Sequence, residues 1–184
     1  MPNPAAVPDT DGEWFEVYAG RDIDLNGLEL GKTPGEVETT IEDVACLPVA
    51  GGTYLLFARS ADSGVNGGLP PVDAVISFSL TNSGGELFVG TGGQVLDAVV
   101  YNSSSDGAAT SLEPTLTSPE DNDNPEHWCD AEQVYGLGDK GSPGAANPSC
   151  GITPEGTCLD GGVLRDLVPP EPGDLVITEF MPDP

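Results

Sequence analysis

Apolar and polar residues alternate with a period of two along the first hundred positions of this chain. In Gly12 to Tyr18 (GEWFEVY), Trp14 and Tyr18 point one way and Phe15 and Val17 the other, with acidic residues between them. Ile76, Phe78 and Leu80 alternate with Ser77 and Ser79, which predicts a half-buried strand with one solvated face. Thr53 to Arg59 (TYLLFAR) is a more continuous apolar run, as expected for a central strand. Gly92-Gly93 separates Leu87–Gly90 from Val95–Tyr101 and predicts a hairpin, with Asn82-Ser83-Gly84-Gly85 as the turn before it. Asn26-Gly27 marks another tight turn or a bulge. Short strands broken by such turns predict an all-β, immunoglobulin-like β-sandwich.

Beyond Tyr101 the pattern changes. Residues 102–128 are rich in Ser, Asp, Asn and Pro and read as a long ordered excursion pinned by Trp128 and Cys129. Tyr135 to Asp139 and Gly141 to Gly144 read as closing turns. Residues 150–172 show no period and end in Pro169, Pro170 and Pro172, which predicts a Pro/Gly linker carrying Cys150 and Cys158. From Gly173 the chain is strand-like again, over 174–181. Its ending, Met181-Pro182-Asp183-Pro184, repeats the opening Met1-Pro2-Asn3-Pro4. Laid over one another, the two tetrapeptides imply that residues 173–184 open a second copy of a module whose first copy lacks its first strand. Alternatively, the tail restores that strand in permuted fashion.

These segments, taken in order, resemble a bacterial lamin-tail domain: GEWFEVY after a Pro-rich start, Ile23 to Leu30, TYLLFAR, the ELFVG/QVLDAVVY hairpin and the closing GSPGAANP. The resemblance covers residues 1–149 and restarts at 173. It implies an immunoglobulin-like fold, no catalytic residues, and a place in a bacterial secreted or cell-surface protein, often in tandem or joined to a hydrolase. Such modules are regarded as protein-interaction units. The related domain of nuclear lamins binds protein partners and has been linked to DNA.

Composition bears on that last point. Five Lys and Arg against 31 Asp and Glu leave a formal charge of −26. Such a surface repels phosphate backbones and anionic lipid, so the chain is expected to bind neither nucleic acid nor membrane. Its expected partners are proteins or neighbouring repeats, with a glycan as the other option. Four cysteines, Cys46, Cys129, Cys150 and Cys158, lie in no Cys-x-x-Cys pair and are joined by a single histidine, which favours disulfides over zinc. Their spacing allows several pairings; the one preferred joins Cys150 to Cys158 and Cys46 to Cys129.

Three patterns invite a chemical reading. Asp9-Thr10-Asp11-Gly12-Glu13 offers alternating oxygens before a Gly turn, and Asp121 and Asp123 lie in a second oxygen-rich stretch; together they are candidates for a calcium site. The plainer reading is two solvated turns, and otherwise no cofactor is expected. Trp14 and Trp128 could stack on sugars, although a Trp in a small sandwich is more often a core anchor. His127 sits two residues from Cys129, but the negative field disfavours a thiolate, and no nucleophile elbow is present. The leading expectation is a non-catalytic extracellular structural or protein-interaction module. The alternatives are a calcium-dependent adhesion or glycan-binding module, and an accessory domain of a secreted hydrolase.

Overall fold

The computed structural model describes residues 1–153, 156–161, 163–176 and 178. The chain divides into two compact units, Met1–Cys150 and Gly151–Pro184.

Unit one is an all-β sandwich. After a single helical turn (Asp9–Gly12) come β1 (Trp14–Ala19), β2 (Ile23–Asp24), β3 (Leu28–Gly31), β4 (Thr39–Ile41), β5 (Pro48–Val49), β6 (Thr53–Ala58), β7 (Ala74–Val75), β8 (Gly84–Thr91), β9 (Gln94–Asn102), β10 (Thr110–Leu112) and β11 (Trp128–Asp130). One sheet runs β1-β6-β7 and the facing sheet β4-β3-β8-β9; β2 pairs with β5 and β10 with β11. Between the two larger sheets lies the main core, with Phe15 and Ala19 from β1, Leu55 and Phe57 from β6, Leu30 from β3 and Ile41 from β4. Phe15 packs on Phe57 with ring centroids 5.2 Å apart.

The expected central strand is β6, and both its faces are buried. Leu55 and Phe57 enter the main core, while Leu56 and Ala58 enter a second one with Met1, Trp14, Leu69, Ala109 and Ala131. The alternation in β1 sorts the same way: Phe15 and Val17 face the main core and Trp14 the second. The β8–β9 hairpin turns at Gly92 and Gly93, whose φ values of 58° and 78° are positive at both central positions. That conformation is costly for residues with a Cβ, which is why the pair is Gly-Gly.

The strand expected at Ile76–Leu80 is absent as a ladder member. All three apolar side chains are buried as the alternation requires. Their segment, however, is an extended connection: the Ile76 N–H still donates to the Ala58 carbonyl at the end of β6, and beyond it the Ser77 and Leu80 N–H groups are met by side chains. The Ser77 N–H donates to Thr39 Oγ1 at 3.0 Å and its hydroxyl to the Glu38 carbonyl at 2.6 Å, which straps the connection across the outer edge of β4. Period two reports burial on alternate sides and says nothing of pairing.

The excursion over 102–128 contains β10 and, through β11, forms a small sheet lying over the second core. In place of the preferred pairings, Cys129 is bonded to Cys150, and Cys46 and Cys158 are free thiols. The cause is local geometry. Cys129 stands opposite Ser111 in the β10–β11 pair, and Glu113, just after β10, accepts the Cys150 N–H at 2.8 Å, so the segment before Cys150 is held alongside β10. Cys46 instead sits in an exposed loop.

Unit two contains β12 (Thr157–Asp160) and β13 (Val163–Asp166), an antiparallel hairpin within the stretch expected to be a linker. Arg165 Nε meets Asp160 Oδ2 at 3.0 Å across it. Of the terminal strand expected at 174–181, positions 177 and 179–181 lie outside the described residues. Asp174 belongs to a turn in which its N–H donates to the Glu171 carbonyl, and Leu175 and Val176 are about four-fifths exposed.

Candidate functional site

Most of the residues that the sequence marks for chemistry are occupied by structural work. Trp14 is 5% exposed, donates its indole N–H to Tyr135 Oη at 2.9 Å and meets that ring edge to face. It is a core anchor with no face for a sugar. Trp128 is half-buried, and its indole N–H donates to the Asn122 carbonyl at 2.9 Å. His127 spends both ring nitrogens inside its own loop, against the Asp121 carbonyl at 2.7 Å and the Asn124 amide at 3.1 Å. Two residues on, the disulfide occupies the Cys129 sulfur.

The calcium candidates are not gathered at one centre. Asp9 accepts from the Asn82 amide at 3.0 Å, and Asp11 lies half-buried in the helical turn. Asp121 accepts the Ser118 N–H at 3.0 Å, closing its own turn. Asp123 lies near Asp97, which Asn122 binds at 2.8 Å. Glu13 turns inward: it is 1% exposed, accepts the Leu80 N–H at 3.0 Å and stands 3.9 Å from Arg59 Nε. Burial pushes the Glu13 carboxyl up from its ordinary value, the response of an acid brought into the interior. Among the described residues, no three His, Cys, Asp or Glu side chains are placed to hold a metal ion.

Other carboxylates brace loops onto strands. Asp139, 3% exposed, accepts the N–H groups of Ala5 and Ala6 at 3.0 and 3.1 Å and ties the chain's start to its closing turns. Glu113, 2% exposed, holds Ser149 and Cys150. Glu16 accepts the Gly144 N–H at 2.6 Å, and burial lifts its carboxyl to about 7. None of the three stands out in the sequence, because acidic residues are abundant everywhere in it.

What remains available is backbone. The outer edge of β4 is strapped by Ser77, but β9 ends its sheet as a nine-residue strand that, among the described residues, pairs only with β8. Along it Val95, Leu96 and Val100 are 45%, 54% and 74% exposed. Another edge strand is β1, where Met1 and Trp14 exchange backbone hydrogen bonds at one end. An unpaired edge offers a row of donors and acceptors suited to another strand. Sequence pattern gives each strand's faces but not its place in the sheet order, so neither edge is visible before the fold is. Among the described residues no helix is long and apolar enough to cross a membrane. No protein-family model matches this chain, and neither does any curated protein or solved structure.

Proposed function

We propose that this chain is a non-catalytic structural and protein-interaction module of lamin-tail type, belonging to an extracellular or cell-surface protein of bacterial kind. The observation that carries this reading is the unpaired edge of β9 with its exposed Val95, Leu96 and Val100. A strand of that length is normally covered, shortened or charged, because its bare backbone invites other chains. A disulfide fits an oxidising compartment, and the charge of −26 selects against nucleic acid and favours proteins with cationic segments.

The test is selection of a displayed peptide library on the immobilised full chain, followed by amide hydrogen exchange. The expected outcome is enrichment of extended, basic peptides with alternating apolar residues that slow exchange at Gln94–Asn102. Peptides that protect only loops, or turnover of polysaccharide, ester or peptide substrates by the purified chain, would overturn it.

A further inference from the structure

The Cys129–Cys150 bond is not sealed inside either core. Both cysteines line a cavity of about 210 Å³ together with Ser111, Asp130, Glu132, Pro148 and Ser149. The last four of these are exposed and the cysteines themselves half-buried, so the cavity is reached from solvent. Disulfides are opened by attack of a thiolate on one sulfur, and access to that sulfur decides whether the bond of a folded protein takes part.

The surroundings make the two sulfurs unequal. Cys150 Sγ lies 3.5 Å from the Ser111 carbonyl oxygen. The partial negative charge of that oxygen opposes a thiolate approaching Cys150, yet the same oxygen is a ready acceptor for an S–H once Cys150 has left the bond. The segment carrying Cys150 has ties of its own. Its N–H donates to Glu113 at 2.8 Å, and the Asn147 amide donates to the Leu112 carbonyl at 3.0 Å. Neither tie involves sulfur, so both persist when the bond opens and keep the two thiols neighbours. Charge adds a filter. Asp130 and Glu132 stand at the cavity of a chain whose formal charge is −26, and such a field gathers cations and repels anions.

We propose that this cavity is a thiol-exchange site, which admits small neutral or cationic thiols, excludes anionic ones, and makes the Cys129–Cys150 bond a reversible latch on the segment covering the second core. The incoming thiolate bonds to Cys129 Sγ and the Cys129–Cys150 bond breaks. Cys150 leaves with the electron pair and takes a proton from water. A second thiol attacks the mixed disulfide and frees Cys129, so two thiols are oxidised to one disulfide while the protein's bond is reduced to two thiols. The site is independent of the β9 edge, and failure at either leaves the other standing.

The experiment uses the full chain with Cys46→Ser and Cys158→Ser, so that every new thiol comes from the latch. Reduction by cysteamine, 2-mercaptoethanol and 3-mercaptopropionate is followed by alkylation and mass spectrometry in native buffer. Each rate is divided by that thiol's rate with a neutral small disulfide, which removes differences in thiol basicity. The expected rates rise linearly with thiol concentration, and at low salt the cationic thiol is about tenfold faster than the anionic one. High salt, or Asp130→Asn with Glu132→Gln, narrows that ratio. The trapped adduct sits on Cys129, amide exchange at residues 142–150 accelerates while β6 is unchanged, and cystamine, the oxidised form of cysteamine, restores the bond. Rates independent of thiol concentration overturn the proposal, because reduction then waits for unfolding. Equal rates for the three thiols, an adduct on Cys150 alone, or a bond that fails to re-form overturn it as well.

Discussion

The two layers packed on opposite faces of the β1–β6 pair are built by different means. Toward β3 and β8 the contact is sheet on sheet, and Phe15, Leu30, Leu55, Phe57 and Ile76 fill it with almost no polar help. On the far side, Trp14, Leu56 and Ala58 meet an irregular segment in which β10 and β11 are the only strands. That segment is held by the Trp14–Tyr135 hydrogen bond, the carboxylates of Glu113, Asp139 and Glu16, and the Cys129–Cys150 bond. A regular sheet satisfies its own backbone and can devote every inward side chain to apolar packing. An irregular cover must satisfy its backbone with side chains, and those ties become its weak points.

The contrast is broken most severely in the main core. Phe57 is fully buried and touches the ring of Phe15. Phe57→Ala removes that packing and leaves a void between two sheets that cannot close, costing about 3–5 kcal/mol. Urea unfolding should show a lower midpoint with an unchanged slope, because the surface exposed on unfolding stays the same.

Legibility from the sequence follows the same division. Strands β1, β6, β8 and β9, and the turns at Gly27 and Gly92-Gly93, were readable because burial on alternate sides and positive φ leave local marks on residue type. The cover was not. Its ties join Ala5 to Asp139 and Cys129 to Cys150 through space, and nothing near either residue in the sequence announces the partner. The same limit explains the preferred Cys150–Cys158 pairing, which followed proximity along the chain while β10 brought Cys129 closer in space. The hairpin at Thr157–Asp166 did carry a local mark, Gly161-Gly162 between two short apolar runs, outweighed by the surrounding prolines. As for the site, Trp14 and Asp9 are bonded to Tyr135 and Asn82, far away in sequence, whereas His127, Trp128 and Asp121 are bonded within their own loop; residue type announces neither use.

A second prediction concerns the cover itself. The disulfide closes a loop with a sequence separation of 21. Opening it by Cys150→Ser should cost about 3 kcal/mol in the chain-entropy account. The effect should be uneven: exchange at residues 142–150 should accelerate well before exchange in β6, showing that the cover opens as a unit of its own. Equal acceleration of both would mean that the two layers unfold together.

Tyr135→Phe is a finer probe of the same layer. It keeps the ring that meets Trp14 but removes the acceptor for its buried indole N–H, so a donor is left unsatisfied at a cost of about 1–3 kcal/mol. Trp14 fluorescence should shift with little change at Phe57, and the loss should add to that of Phe57→Ala, since the two lie on opposite faces of β6.

The smallest effect at a single pH, and the most informative about how the cover is held, belongs to Glu16. Its folded-state carboxyl is raised from 4.5 to about 7, chiefly by burial. Between those values the unfolded chain releases the proton while the folded chain keeps it, so stability falls as pH rises through that window. Glu13 and Asp97, also raised by burial, act in the same direction, while the Met1 ammonium, lowered by burial to about 5, acts against them. Glu16→Gln keeps an oxygen for the Gly144 N–H but cannot ionise. Melting temperatures of the two proteins measured from pH 4.5 to pH 8 should therefore be closest at the acid end and diverge in the variant's favour as pH rises. Parallel curves would place the titration elsewhere and assign Glu16 a role in packing alone. Diverging curves would show that a loop braced by a half-buried carboxylate loosens with pH, while the apolar face of the same strand does not.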